Sequence, residues 1–322
     1  MELIQSFLLS VTRVRLSLYE QRILTKIVEH GQSVIQGLSV QQYKYITNPF
    51  DNEKITIPIR YILSDGSKDY KKVIDACKGL MNRKFEFYEP KTRTYYADTI
   101  VHNVIHVAGS GAVTFQVSRV LYDVMFNFEL GYKNYDLEQA LTLPTPYAVR
   151  MYVLLNNQDR PITWSVERLK NMFGVADKYT QTADFIKKVI EPARKALVKS
   201  CANNFTYTRI YDGQKVTDLQ FFPVKVDERA RRLYGDLSKE QITQVVACKM
   251  YLKDDVGFTS KEIGANKKTI EDFARIPDAV TILYRINKRA MRKSTNTKGY
   301  FISAMRSEYQ EWQQALKSLP HK

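Results

Sequence analysis

Tyr179-Thr-Gln-Thr-Ala-Asp-Phe-Ile-Lys-Lys-Val-Ile-Glu-Pro-Ala-Arg-Lys-Ala-Leu-Val-Lys-Ser200 is the stretch on which the reading of this chain turns. At 100° per residue, Phe185, Ile186, Val189, Ile190, Ala193, Ala196 and Leu197 fall on one side of a helix over 182–200. Lys187, Lys188, Glu191, Arg194 and Lys195 fall on the other. Thr180, Gln181 and Thr182 put short polar side chains at its start, where free backbone N–H groups favour phosphates and base edges. Pro192 removes one backbone bond inside the helix and predicts a bend. A solvated amphipathic helix carries the same pattern, so the neighbours decide between the two readings.

Before it, Ser165–Phe173 reads as a short helix with Val166, Leu169, Met172 and Phe173 on its apolar side, closed by Gly174. After it, Phe205–Ile210 and Thr217–Val226 read as strands joined by Asp212-Gly213, a hairpin signal. Short helix, turn, long helix and hairpin are the parts of a winged helix-turn-helix, which lays its second helix in a DNA major groove. In that frame Thr180, Gln181, Thr182, Lys187, Lys188, Arg194 and Lys195 are candidate DNA contacts on the helix. Arg209 and Lys215 are candidate phosphate contacts on the hairpin.

Working outward, Tyr147–Asn157 reads as a helix with Val149, Tyr152, Val153 and Leu155 inside. Leu143-Pro-Thr-Pro146 is a stiff break that places a domain boundary after 146. The same parts precede it. Leu16–His30 has helical spacing, with Ser17 as cap and Gly31 past its end. Ile55, Ile57 and Ile59 alternate, with Pro58 confining that strand to an edge. Asp69–Asn82 is a second helix, whose Lys71, Lys72 and Lys78 are candidates for an auxiliary DNA contact. Phe85–Glu89, Tyr95–Val107 and Ala112–Val117 follow as strands, with turns at 91–93 and 109–111. Beyond 227, helices are expected around Lys239–Lys253, Lys261–Arg275, Asp278–Lys293 and Gly299–Leu316. Residues 288–298 hold five Lys/Arg and no acid. The expected class is therefore α+β: two tandem winged-helix domains, 1–146 and 147–226, and a basic helical C-terminal region, 227–322.

The charge agrees. The chain has 322 residues, 49 Lys+Arg and 34 Asp+Glu, for a net charge of +15. Residues 1–146 carry +2, 147–225 carry +6 and 226–322 carry +7, so the surplus lies in the second half. Such a surplus favours a polyanion, because each phosphate neutralised releases condensed counterions. Cys77, Cys201 and Cys248 stand far apart with no CxxC pair, as expected of a reducing cytosol rather than a disulfide or zinc framework. The apolar run Leu3–Val11 is too short and wrongly flanked for a signal peptide or membrane span. The expectation is a soluble, cytoplasmic protein.

Order and spacing of four segments carry a family resemblance over about residues 5–226. They are Leu16-Ser-Leu-Tyr-Glu-Gln-Arg-Ile-Leu24, Tyr147-Ala-Val-Arg-Met-Tyr-Val-Leu-Leu155, Trp164-Ser-Val-Glu-Arg-Leu-Lys-Asn-Met-Phe-Gly174 and Tyr179 with Asp184-Phe-Ile-Lys-Lys-Val-Ile-Glu-Pro-Ala193. Together they resemble the initiators of iteron-bearing, theta-replicating plasmids. The resemblance implies sequence-specific binding of double-stranded origin DNA at direct repeats, followed by melting and recruitment of host helicase and initiator. It implies that the second domain reads one part of each repeat, and that the first mediates a homodimer in equilibrium with monomer and touches the rest of the site. Lys187 and Lys188 match the family's basic pair after its Asp-Phe. The sequence departs from the pattern at Phe7, where the family has Asn, and it carries lysines where relatives carry arginines, which weakens the expectation of bidentate guanine contacts.

Catalytic readings fare poorly. His102 and His106 are four apart on a strand with no third ligand nearby, and a rolling-circle nuclease needs His-hydrophobic-His beside a tyrosine. No GxxxxGK[ST] occurs. No metal, cofactor or enzymatic activity is expected. The rival readings are a winged-helix transcriptional regulator and, further off, a nicking rolling-circle initiator.

Overall fold

The structure, a computed structural model, describes residues 1–34, 54–63, 69–89, 93–117, 119–126, 128, 131–293 and 297–318. The chain packs as two compact units, Met1–Asn157 with Glu167–Ala196, and Gln158–Val166 with Leu197–Lys322.

In the first unit β1 (Glu2–Ser6) runs antiparallel to β7 (Tyr132–Asp136), so the apolar run Leu3–Val11 divides into this strand and the short α1 (Phe7–Val11). The helix α2 (Leu18–Val34) opens with reciprocal bonds. Ser17 Oγ accepts from the Glu20 amide at 3.3 Å, and the Glu20 carboxylate accepts from the Ser17 amide at 2.6 Å. This capping box satisfies two orphan donors. Glu20 is nearly inaccessible and also takes Arg83 Nε at 3.1 Å, which ties the helix start to a residue 63 positions on. Gly79 makes room for that carboxylate, since a Cβ there would collide with Glu20 Oε1.

Gly31 does not end α2, as its spacing suggested. The helix continues to Val34, and a Cβ at 31 would come within 2.7 Å of the Phe126 ring and 3.0 Å of Tyr122. Close aromatic packing, not chain termination, is what this glycine serves.

The first winged helix continues with β2 (Lys54–Pro58), α3 (Arg60–Leu63) and α4 (Tyr70–Met81). The edge position expected for the Pro58 strand is observed, in a sheet of order β2-β6-β5. The expected strand Tyr95–Val107 is two strands, β4 (Thr94–Thr99) and β5 (Val101–Ile105), which serve different sheets. The first pairs with β3 (Lys84–Glu89) as a hairpin, and the second pairs with β6 (Ala112–Val117). Buried Ile100, between them, marks the crossing. Of the turn expected at 91–93, residues 91 and 92 lie outside the described residues; Gly109 and Gly111 have the positive φ expected of a turn.

After α5 (Arg119–Phe126) and α6 (Leu137–Thr142) comes α7 (Pro146–Leu155). The break at 143–146 is a corner: Thr145 caps α7 by accepting from the Ala148 amide at 3.0 Å, and Pro146 occupies the first turn, where its missing N–H costs nothing. Every residue from Ala148 to Leu155 is buried. This helix closes the first unit's core.

The second unit holds a sheet of order β8-β10-β9, from β8 (Ile162–Ser165), β9 (Asn203–Asp212) and β10 (Lys215–Lys225). Asp212 pairs with Lys215, so the two-residue turn is Gly213-Gln214, one position later than the sequence suggested, with Gly213 at φ 57°. Trp164, Phe205 and Phe221 pack on one face of this sheet. On the other, Thr243 donates to Asn204 Oδ1 at 2.8 Å and Gln244 to Thr206 Oγ1 at 3.2 Å. Those two residues belong to α12 (Lys239–Asp254), so the hairpin and the C-terminal helices share one core. The others are α11 (Glu228–Tyr234), α13 (Ser260–Ala265), α14 (Lys267–Phe273), α15 (Ala279–Lys293) and α16 (Thr297–Lys317). The helix expected over Lys261–Arg275 is broken at Asn266, whose φ and ψ of −107° and 17° interrupt the ladder. No described helix is long and apolar enough to cross a membrane.

Candidate nucleic-acid interface

The helix-turn-helix is made by α8 (Val166–Met172) and a second helix over 182–200. Gly174 ends the first at φ 61°, and a Cβ there would lie 2.9 Å from the Arg15 amide nitrogen. Only glycine suits both the conformation and the close backbone. Three aromatic rings seat the second helix, Phe173 and Tyr179 each having their centroids 6.4 Å from that of Phe185. Lys170 reaches across the turn to donate to the Thr180 carbonyl at 2.9 Å, with its ammonium 6.0 Å from the Phe185 centroid. That lysine is spent on the fold.

Arg150 fixes the base of this motif. It is 7% exposed, and its guanidinium donates to the carbonyls of Val14, Met172, Thr12 and Ser10 at 2.8, 2.6, 2.8 and 3.2 Å. One bond holds the C-terminal end of α8, one the Ser10 carbonyl within α1, and two the segment after α1. With no carboxylate among these partners, burial lowers its pKa to about 10. Sequence reasoning missed it, because an arginine inside an apolar helical run gives no sign of whether it points out to water.

The second helix is not uniform. It opens as α9 (Thr182–Phe185), passes through a π turn at Ile186–Ile190, and continues as α10 (Glu191–Ser200). The Glu191 amide reaches back five residues to the Ile186 carbonyl. Pro192 accounts for the widening: it brings no N–H, and its ring would crowd the carbonyl four residues back. The bend expected at Pro192 thus takes the form of an inserted residue in the preceding turn.

That insertion overturns the expectation for Arg194. A constant 100° wheel puts it on the polar face, but the extra residue shifts the phase of everything after Ile190. Arg194 is 8% exposed and its guanidinium forks on Glu191 at 2.8–3.2 Å, which makes it internal support rather than a DNA contact. Lys187, Lys188 and Lys195 are exposed as expected. Lys188 meets Asp184 at 3.4 Å with both side chains about half exposed, and Lys195 is 4.0 Å from Glu191. Such surface pairs are worth little and exchange readily for a phosphate. At the start of the helix Thr180 and Gln181 are exposed and Thr182 half-buried. Gln181 occupies the N-cap with no side-chain capping bond, so its amide stays available to a ligand.

On the hairpin, Arg209 and Lys215 are exposed, with Arg209 sharing its strand face with Tyr207 and Tyr211. Lys71, Lys72 and Lys78 are exposed on α4, and Lys72 pairs with Asp69 at 3.2 Å. The histidines serve separate local roles, His102 Nδ1 bonding Thr99 Oγ1 at 3.0 Å and His106 Nδ1 the Ala112 carbonyl at 2.9 Å. Among the described residues no three His, Cys, Asp or Glu are grouped to hold a metal ion. All three cysteines are buried, and burial pushes the Cys77 thiol up to about 12.

Comparisons with known proteins bear on the same residues. No curated protein matches the chain. Among solved structures, the Pi initiator protein in complex with iteron DNA aligns at a TM-score of 0.52 and 15% identity, over 70% of this chain and 98% of that one. Domains 2 and 3 of RctB align at 0.38 and 11%, over 66% and 83%, too distant to carry an argument. The family model described as initiator replication protein, WH1, matches residues 4–156, and that described as initiator Rep protein, WH2, matches 165–222. The fold is accordingly two Rep winged-helix domains followed by a helical C-terminal region, and the chain belongs to the initiator replication protein family.

Proposed function

We propose that this initiator binds direct repeats, iterons, in the double-stranded origin of a plasmid, with the helix over 182–200 as the principal reader. The observation that carries the reading is an exposed basic pair, Lys187 and Lys188, on a helix seated by Phe173, Tyr179 and Phe185 and opened by an uncapped Gln181. Charge on a rigid helix whose N-terminus is free of its own cap suits phosphate and base-edge contact. The division of labour follows the charge. Residues 147–226 recognise the repeat, with Thr180, Gln181, Thr182, Lys195, Arg209 and Lys215 supporting the pair. Residues 1–146 carry self-association, since their net +2 repels a second copy far less, and Lys71, Lys72 and Lys78 give an auxiliary contact.

The protein acts by binding and straining duplex, not by cutting it. Unwinding falls to recruited host helicase and initiator, and the protein works in the cytoplasm as a homodimer in equilibrium with monomer. Footprinting on DNA flanking the gene tests the assignment. Protection of evenly spaced direct repeats in an origin supports it, whereas protection of a promoter alone points to a transcriptional regulator. Denaturing electrophoresis of incubated origin plasmid must recover intact strands; protein joined to a nicked end would establish the rolling-circle alternative.

A further inference from the structure

The C-terminal helices lie outside both family matches, which end at 222, yet they carry the largest share of the positive charge. Helix α15 packs on β9, the first strand of the hairpin. Its Lys288 ammonium sits 5.0 Å from the Tyr284 ring centroid and 6.0 Å from that of Tyr211, near the hairpin tip. An aromatic quadrupole orients a cation without neutralising it. Lys288 is exposed, and so is Arg285 one turn earlier; among the described residues neither forms an ion pair. Arg289, by contrast, is committed to Glu308 at 2.7 Å. Tyr211 keeps 37% of its surface exposed, and Arg209 and Lys215 are exposed on the same hairpin. Asp212 at the tip is the acidic group within this stretch.

We infer that α15 is a second phosphate-binding element, which extends the footprint of the hairpin along a DNA duplex through Arg285 and Lys288. The charge fits a polyanion, and the Lys288–Tyr211 contact joins helix to hairpin, so the four cations belong to one compact unit. Contacts of this kind go to the backbone and carry no sequence information. The element therefore lengthens and strengthens the grip without altering which repeat is chosen. The inference rests on the duplex-binding reading above.

The test uses the full chain with Arg285→Ala and Lys288→Ala together, Arg285→Gln with Lys288→Gln as a second neutral pair, and Arg285→Lys with Lys288→Arg as the charge-retaining control. Binding to duplex of natural origin sequence and to an unrelated duplex of equal length is measured against salt. The neutral pairs should lower the slope of log affinity against log salt by roughly 0.9 for each phosphate they cease to neutralise. They should weaken both duplexes by the same factor, and the control pair should restore both. Hydroxyl-radical protection should shorten at one edge of the footprint. Parental slope and footprint in a folded neutral pair overturn the inference. If the parent itself shows no sequence preference, the iteron reading fails, while the slope on either duplex still decides the role of α15.

Discussion

The two helices that precede the two hairpins, α4 and the helix over 182–200, hold equivalent places in their winged domains and differ at their starts and in their regularity. Asp69 caps α4, its carboxylate accepting from the Lys72 amide at 3.4 Å and pairing with the Lys72 ammonium. A negative charge thus sits at the start of α4. Gln181 at the corresponding place is neutral and makes no cap bond. The rest of α4 is regular, while the second helix carries a π turn that leaves Lys187 and Lys188 outside and turns Arg194 inward. A helix N-terminus attracts anions through its unsatisfied N–H groups and dipole, so a charged cap at α4 and a neutral, uncapped Gln181 make the two helix starts electrostatically unlike, although Asp184 adds an acid to the first turn of the second. Equivalent topology does not bring equivalent chemistry.

The difference can be broken most severely through Arg150. Arg150→Met should remove four bonds to buried carbonyls and destabilise the protein by at least about 3 kcal/mol, because each acceptor left dry costs on the order of 1–3 kcal/mol. Denaturant unfolding measures this, and a change under about 1 kcal/mol would mean water replaces the guanidinium. The next effect concerns the lysines. Lys187→Ala with Lys188→Ala should cost on the order of 1–3 kcal/mol of binding for each base-edge contact and relax sequence preference. Lys71→Ala, Lys72→Ala and Lys78→Ala combined should weaken all duplexes alike, leave sequence preference unchanged and reduce the salt slope by roughly 0.9 per phosphate touched. Equal losses in the two sets would erase the distinction between the helices.

A smaller change sharpens it. Asp69→Asn keeps a capping oxygen but removes the charge, and should raise duplex affinity by about 0.3–1 kcal/mol while leaving the melting temperature nearly unchanged. Weaker binding would show that Asp69 itself supports the contact. The smallest effect involves a cation already engaged, in contrast to Lys288. Lys298 meets Glu262 at 2.9–3.0 Å, and with the Thr259 amide and hydroxyl it holds that carboxyl at about 2, below its ordinary 4.5. A depressed carboxylate contributes stability that is complete above pH 4.5 and lost as the pH falls towards 2. Glu262→Gln should flatten the fall in melting temperature across that window.

Much of the fold is legible in the linear chain. Periodicity places most of the helices in 1–34 and 69–225, Pro58 puts its strand at an edge, and Gly174 marks the turn of the helix-turn-helix. These features are local: they depend on the spacing of apolar residues and on backbone freedom, which neighbours in sequence settle. Lys187 and Lys188 were visible for the same reason, since exposed charge opposite an apolar stripe is a property of the helix alone. The family resemblance rested on equally local runs.

What needed tertiary structure is whatever depends on residues far apart in sequence. Gly31 looks like a stop until the Phe126 ring is found against it, and only the fold shows Glu20 enclosed by Gly79 and Arg83. The single run expected over Tyr95–Val107 divides because its halves find different partner strands. Arg150 reads from sequence as an ordinary basic residue and Arg194 as a candidate DNA contact, and only packing makes one a hub for four distant carbonyls and the other a brace for Glu191. The sign and placement of the charge and the order of the elements are properties of the linear chain. Which cations remain free for a polyanion was decided by the fold, because burial and a phase shift of one residue select among side chains that are chemically alike.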